Sequence, residues 1–231
     1  MQEITISPKK VAKYLFLIIS GLLTLHIIGQ VAKFGFGSNQ LYGFVPLFFM
    51  GGESNIPAFY SSAAIFTCAV LLFVIGVVRS RVRSGDHLHW LGLALIFVFL
   101  SMDEALRFHE RLLRPMHNLF GDEGIFHLGW TVPYAFLVFI VGLVYRKFVF
   151  NLPTRSRNLF VLAGFIYIGG ALGMEVLESF YVEKHGWQNP IAVTMITIED
   201  TMEMSGIALF LYALTSYIDV HIKGINVRIK S

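Results

Sequence analysis

The sequence predicts an all-α protein, a polytopic transmembrane helix bundle with six spans and both termini in the cytoplasm. The first observation behind this prediction is composition: of 231 residues, 55% are hydrophobic and only 14% are charged, whereas a soluble domain carries about a quarter charged residues. The second is that the apolar residues form blocks of about the 20 residues that a bilayer requires. The third is the placement of the basic residues around those blocks.

The six apolar blocks follow one another without a repeat or a second domain, so residues 1–231 are predicted to form a single integral membrane domain. Between the first two blocks, Leu41–Met50 is also apolar, but it contains Gly43 and Pro46. It is too short to span, and we expect it to lie at the interface or to re-enter the membrane. The predicted spans are approximately residues 11–31, 58–78, 88–106, 130–145, 159–181 and 191–218.

The basic residues give the orientation. With six spans, five of them fall on one face of the membrane and thirteen on the other, and the positive-inside rule places the richer face in the cytoplasm. Because the basic residues flank helices, they predict no nucleic-acid partner. We expect the protein to lie in a bacterial inner (plasma) membrane. The thirteen are Lys9, Lys10, Lys13, Arg79, Arg81, Arg83, Arg146, Lys147, Arg155, Arg157, Lys223, Arg228 and Lys230.

The acidic residues have the opposite distribution, since twelve of the fifteen fall on the outer side. Among those inside apolar blocks are Asp103, Glu175, Glu199, Asp200 and Glu203. An ionisable group inside a bilayer costs roughly 3 kcal/mol on insertion scales, so such groups are rare unless they pair or have a function. At the helical rise of 1.5 Å per residue, these groups come to similar depths in the outer half of the bilayer. The sequence therefore predicts a carboxylate cluster there.

Helical angles of 100° per residue indicate which side chains can share that cluster. Asp103, Arg107 and Glu110 fall on one stripe, with Glu104 and His109 to either side, so this motif as a whole is not expected to serve one site. His109 and His127 lie at the outer ends of adjacent spans and are candidate ligands. The predicted metal ligands are Asp103, His109, Glu110, His127, Glu175, Glu178, Glu199 and Glu203, and the predicted catalytic residues are Glu199, Glu203 and Asp103.

Two chemical interpretations fit this set. Carboxylates on facing helices, with an imidazole, are ligands for a divalent metal ion such as Fe, Mn, Zn or Ca. Alternatively, crowded carboxylates share protons, as in proton-coupled transport. The structural alternative is that Arg107 pairs with Asp103 and Glu110 and that the outermost acids are simply solvated. No Glu-x-x-His motif is present, and Glu175-x-x-Glu178 replaces it only in part.

Three further features have both a structural and a functional interpretation. Glu53 and Asn55 precede the second span, where they either donate ligands or cap the helix that starts near Pro57. His26, in the first span, is expected to make an interhelical hydrogen bond. Gly169-x-x-x-Gly173 predicts close helix packing in the fifth span, which would bring Glu175 and Glu178 near a neighbouring helix.

These motifs resemble an uncharacterised family of bacterial six-helix integral membrane proteins. The shared features are Glu53-x-Asn55-x-Pro57 before a span, Asp103-Glu104 followed by His109-Glu110, and an acidic final helix. This resemblance covers most of the chain and implies no activity. Residues 53–62 are also similar in part to alkaline-ceramidase-like membrane hydrolases, which are seven-span zinc enzymes. Their paired histidines are replaced here by Glu199 and Glu203, so the resemblance does not carry their activity over.

The sequence leaves three functions open. The first is a metal-dependent membrane enzyme that acts on a lipid or another amphiphile. The second is a proton- or cation-coupled transporter, which six spans without an inverted repeat would disfavour. The third is an accessory or assembly subunit whose acids pair with a partner. The expected partners are membrane lipids, with a homo-oligomer or a membrane partner subunit as further alternatives.

Overall fold

The computed structural model describes residues 7–222, which are helical and contain no strand. Nine α-helices, with three short 3₁₀ turns and one π-helical segment, make up this part of the chain. The α-helices are α1 (Pro8–Phe36), α2 (Phe44–Leu47), α3 (Ile56–Arg81), α4 (His87–Leu106), α5 (Leu113–Phe120), α6 (Thr131–Asn151), α7 (Thr154–Ile168), α8 (Glu175–His185) and α9 (Pro190–His221).

Within residues 7–222, five helical segments are long and apolar enough to cross a membrane. They are α1, α3, α4, α6 and the continuous stretch Thr154–His185, in which the π-helical turns Gly169–Met174 join α7 to α8. The sixth predicted block forms α9, a helix of 32 residues. Its acidic residues lower its hydropathy, and it is not among the five. Lys223, Arg228 and Lys230, on which the predicted side of the C-terminus depends, lie outside the described residues.

The main hydrophobic core lies at the end of the bundle where α3 and α9 terminate, which we call the core end. Trp90 of α4 is fully buried there, with its ring 5.1 Å from that of Phe148, 6.0 Å from Phe160 and 4.8 Å from Tyr217. These four rings come from α4, α6, α7 and α9. Aromatic packing therefore closes the bundle at the core end.

The opposite end, where α3 and α9 begin, is called the pocket end. The stretch between α1 and α3, residues 37–55, folds back into the bundle here, and we call it the re-entrant segment. The Met50 N–H donates to His26 Nδ1 (3.1 Å), and His26 lies ten residues before the end of α1, about 15 Å along its axis. Because Nδ1 accepts, Nε2 carries the proton and donates to Thr197 Oγ1 of α9 (2.9 Å). The predicted interhelical bond of His26 is therefore present, and it also anchors the re-entrant segment.

Helix α6 is the most loosely held of the long helices. Only Thr131 and Phe148 are buried along its 21 residues, and it packs mainly against α7 and the π-helical segment. Near the core end α6 contacts α4 through Phe148 and Trp90, and at the pocket end Val138 of α6 and Leu100 of α4 both line the cavity described below.

Candidate functional site: an acidic cavity at the pocket end

A cavity of about 730 Å³ lies at the pocket end and is bounded by the re-entrant segment, α4, α6, the π-helical segment, α8 and α9. Its most unusual property is the number of acidic side chains in its lining. His109, His117, His127 and Lys33 also line it. The nine carboxylates are Glu53, Asp103, Glu104, Glu110, Glu175, Glu178, Glu199, Asp200 and Glu203.

Glycines bring two walls of this cavity together. A Cβ on Gly170 would lie 2.9 Å from the backbone oxygen of Glu199 and 3.0 Å from Glu203 Cγ, so only glycine permits this approach between the π-helical segment and α9. The predicted close packing is thus present, although Gly170 rather than Gly173 makes the contact, since Gly173 has open space around it. The π-helical turns also set the direction of the acidic residues that follow, as such bulges often do at functional sites.

The tightest acidic group consists of Glu175 and Glu178 of α8 and Glu199 of α9. Each offers a carboxylate oxygen, and the three oxygens lie within 4.8 Å of one another. We call these three residues the carboxylate triad. Glu175 Oε1 accepts a hydrogen bond from Trp130 Nε1 (3.1 Å). Glu178 is 1% exposed, and its Oε1 has no hydrogen-bond partner among the described residues. A buried oxygen without a donor is costly unless a cation or a proton satisfies it.

Asp103 is held in a different way. Helix α4 ends at Leu106, and the chain then turns back so that the His109 N–H donates to Asp103 Oδ1 (2.8 Å) and His109 Nδ1 donates to Oδ2 (3.2 Å). The His109 ring packs on Trp130 at 4.6 Å. Burial acts to lower the pKa of His109, but the Asp103 hydrogen bond and nearby acidic charge outweigh it and raise that pKa. Asp103 and His109 therefore form a buried dyad beside the triad.

Ion pairs lie at the more exposed edge of the cavity, which we call the rim. Arg107, in the left-handed region at φ 60°, pairs with Glu53 and, at 2.5 Å, with Glu110. The predicted stripe of Asp103, Arg107 and Glu110 was wrong because the helix ends before Arg107. The predicted pairing of Arg107 holds for Glu110, whereas its second partner is Glu53 of the re-entrant segment. Glu110 is thus held at the rim rather than beside the triad.

Three lining carboxylates extend the acidic wall beyond the triad: Glu104, Asp200 and Glu203. Glu104 lies near enough to the other two for their charges to interact. Asp200 Oδ2 is buried and has no hydrogen-bond partner among the described residues. The sequence ligand set omitted Glu104 and Asp200 because it required alignment to one narrow stripe. The signal that would have included them is their position within apolar blocks.

The remaining predicted residues have structural contacts. His127 lines the cavity, but its Nδ1 donates to the backbone carbonyl oxygen of Asp122 (3.2 Å). It is not grouped with the triad. Asn55 caps α3, since its Oδ1 accepts from the Ala58 N–H (3.1 Å), while its Nδ2 donates to the Phe49 oxygen (2.7 Å). Glu53 lines the cavity. Asn55 therefore has the structural role of a helix cap, whereas Glu53 is placed where it could act in the cavity.

Comparisons with known proteins place the chain in a family without assigning an activity. No curated protein and no solved structure matches it. A sequence model for a domain of unknown function, DUF8692, matches residues 14–217, which include every helix that bounds the acidic cavity. The chain belongs to the DUF8692 family.

Proposed function

We propose that the protein is a metal-dependent integral membrane enzyme that acts on a lipid or another amphiphile. Helix α9 is the sixth span, and the pocket end faces away from the cytoplasm, because the basic residues flank the helices mainly at the core end. The membrane is the inner (plasma) membrane of a bacterium. The observation that carries the proposal is the carboxylate triad, whose buried Glu178 Oε1 has no donor.

A divalent cation would satisfy that oxygen. The triad offers only oxygen ligands, which favours hard cations such as Mn²⁺ or Ca²⁺ over Zn²⁺, with Fe²⁺ as a further carboxylate-binding ion. The Trp130 N–H fixes the orientation of Glu175 from outside the triad, as hydrogen bonds to ligating carboxylates do in metal sites. When bound, such a cation supplies Lewis acidity and makes a coordinated water more acidic.

The Asp103–His109 dyad supplies a proton acceptor near this site. Because Nδ1 donates to Asp103, Nε2 is the ring nitrogen that takes up or releases a proton; it lies 3.8 Å from Glu53 Oε1, and His109 lines the same cavity. Asp103 thereby fixes the tautomer and the ring orientation, which is the arrangement of a general base with its positioning carboxylate.

The shape of the cavity supports an amphiphilic substrate. Its wall continues from the acids onto apolar side chains of three helices, Leu100 of α4, Val138 of α6 and Ile168 of α7. Since few residues of α6 are buried, we propose that an amphiphile enters between α4 and α6. Its polar group would lie at the triad, and its apolar part would contact these three side chains.

Elemental analysis of the detergent-purified protein, prepared without chelator, tests the metal site. We expect about one Mn, Ca or Fe per chain, lost in Glu178→Gln. Glu183→Gln is the matched control, because Glu183 lies on the same helix and accepts the Gly124 N–H (2.9 Å) without lining the cavity. Retention of the metal in Glu178→Gln, or its absence from folded wild-type protein, would contradict the proposal.

Cation- or proton-coupled transport is the second candidate, and one observation favours it. The re-entrant backbone at Gly51 and Gly52 lines the acidic cavity, and non-helical backbone at membrane depth is typical of substrate and ion pathways. Substrate-driven proton flux into liposomes, abolished in Glu203→Gln, would favour transport over the enzyme. If neither metal nor flux is found and the protein is unstable alone, the accessory-subunit hypothesis is the remaining alternative.

A further inference from the structure

A second cavity, of about 360 Å³, lies on the side of the bundle between α1, α3 and α9. It is separate from the acidic cavity and shares no lining residue with it. Its walls are apolar or small, with Leu15 of α1, Ala63 and Leu71 of α3, and Leu211 of α9 among them. We call it the α1–α3–α9 groove.

The groove has the length and closure that suit one hydrocarbon chain. Its α3 wall extends from Tyr60 to Leu71, which is about 16 Å along a helix. Tyr60 closes one end, where its hydroxyl donates to the Leu15 oxygen across the groove (3.4 Å). The other end lies near the start of α1 and the last turns of α9, at the core end of the bundle.

Positive charge is placed at this second end. Arg155, at the start of α7, donates from Nη2 to the Tyr212 hydroxyl (3.1 Å). Tyr212 follows the lining residue Leu211 and lies three residues before the lining residue Thr215, so its hydroxyl is at the groove margin. Lys9 is exposed and lies close enough to that hydroxyl for its charge to act there.

We propose that the α1–α3–α9 groove binds one anionic phospholipid. An acyl chain fills the apolar groove, and the phosphate lies between Arg155, Lys9 and the Tyr212 hydroxyl. Basic side chains at a helix crevice on the basic side of a membrane protein are the usual ligands of anionic headgroups. A zwitterionic lipid such as phosphatidylcholine would fill the groove equally well and carries the same phosphate, but its choline cation would lie beside the two basic side chains. Charge complementarity therefore selects the anionic class. This inference does not depend on the metal site.

Native mass spectrometry with added phosphatidylglycerol or phosphatidylcholine tests this site on the full chain in detergent. Wild-type protein is expected to retain one phosphatidylglycerol with about tenfold preference over phosphatidylcholine, equivalent to 1.4 kcal/mol. Lys9→Gln/Arg155→Gln should abolish the preference. Arg146→Gln/Lys147→Gln is the control, because these exposed residues of α6 carry the same charge away from the groove.

A second, independent test fills the groove with a larger side chain. Ala63→Phe and, separately, Thr67→Phe should eliminate retention of phosphatidylglycerol, and both positions are exposed within the groove, so folding should persist. Equal binding of the two lipids by wild-type protein would overturn the proposal, as would unchanged retention in both filled variants. A dimer that these variants convert to monomers without any change in bound lipid would assign the groove to a second copy of the chain and would also overturn it.

Discussion

The two ends of the bundle treat a carboxylate in opposite ways. At the core end, Asp86 accepts from Arg79 Nε (2.9 Å) and Nη2 (2.7 Å), from the Ser84 hydroxyl and from Trp90 Nε1 (3.1 Å). At the pocket end, Glu178 Oε1 has no donor among the described residues. Both ends use a tryptophan N–H, from Trp90 to Asp86 and from Trp130 to Glu175. Asp86 also pairs with a guanidinium, whereas neither Glu175 nor Glu178 has an arginine partner among the described residues.

The difference separates a structural acid from a functional one. A carboxylate that accepts hydrogen bonds from several donors is stabilised as an anion within the folded protein. Carboxylates crowded without donors repel one another and remain stable only with a cation or with shared protons. Arg107, at the pocket end, pairs with Glu53 and Glu110 at the rim. Among the described residues the triad has no basic partner, which is what the proposed cation site requires.

The largest loss of stability is expected when the π-helical segment is forced away from α9. Gly170→Val places side-chain atoms where Glu199 and Glu203 now approach, and overpacking of this kind costs about 3 kcal/mol. We expect a lower Tm in detergent together with loss of bound metal. Gly173→Val, in the same π-helical segment but with open space around it, is the control. Equal Tm values for the two variants would show that the contact at Gly170 is unimportant.

Neutralising the structural acid should be the next largest effect. Burial acts to raise the pKa of Asp86, but hydrogen bonds from Arg79, Ser84 and Trp90 outweigh it and lower that pKa from 3.8 to about 2. Because the folded-state pKa is the lower one, this stability is present above pH 4 and is lost as the pH falls toward about 2. A shift of this size corresponds to about 2 kcal/mol. Thermal unfolding of Asp86→Asn at pH 7 should show that loss, and the difference from wild type should shrink in acid.

The anchor of the re-entrant segment gives a third, smaller effect. His26→Leu leaves the Met50 N–H without its acceptor, and an unsatisfied buried donor costs about 1–2 kcal/mol. Gln30→Leu is a close comparison, since Gln30 lies one turn further along α1 and its buried amide atoms have no partner among the described residues. We expect a lower Tm and faster proteolysis of residues 37–55 in His26→Leu only. The opposite ranking of the two variants would refute the assigned anchor.

The smallest expected change in stability is a gain rather than a loss. It distinguishes Glu178 from Asp86 most directly. In chelator, Glu178→Gln removes a crowded acid without removing any protein hydrogen bond to Oε1, so stability should stay constant or rise by up to about 1 kcal/mol. With Mn²⁺ added, wild-type protein should gain stability by mass action and the variant should not. Differential scanning fluorimetry measures both. A destabilised Glu178→Gln in chelator would mean that Glu178 is structural, like Asp86.

The sequence predicted the helices better than the directions of the side chains. The thickness of the bilayer core sets the length of an apolar block, so block length predicts helix length. Each of the six blocks coincides with a helical segment to within a few residues at most ends. Side-chain direction failed where regular geometry failed. Helix α4 ends before Arg107, which removed Glu110 from the stripe of Asp103, and the π-helical turns before Glu175 are not visible in a 3.6-residue period.

The width of the cavity explains the remaining difference. The sequence prediction took one stripe of side chains from each helix, which assumes a narrow site. The cavity of about 730 Å³ is wide enough that Glu104 lines it together with Asp103, and Asp200 together with Glu199. The re-entrant position of Glu53 depends on a contact between Met50 and His26, which are 24 residues apart, and no local pattern encodes it. The position of the acids within apolar helices was visible from the sequence, but their grouping required the tertiary structure.

The most direct test of the central claim is to locate a cation in the triad. Anomalous diffraction from crystals of the protein grown with Mn²⁺ and recorded at the manganese absorption edge identifies the ion and its ligands. The account predicts a peak within about 2.2 Å of a carboxylate oxygen from each of Glu175, Glu178 and Glu199, a normal Mn–oxygen distance. An empty triad in Mn²⁺-saturated crystals, or a peak confined to Glu53 and Glu110 at the rim, would contradict it.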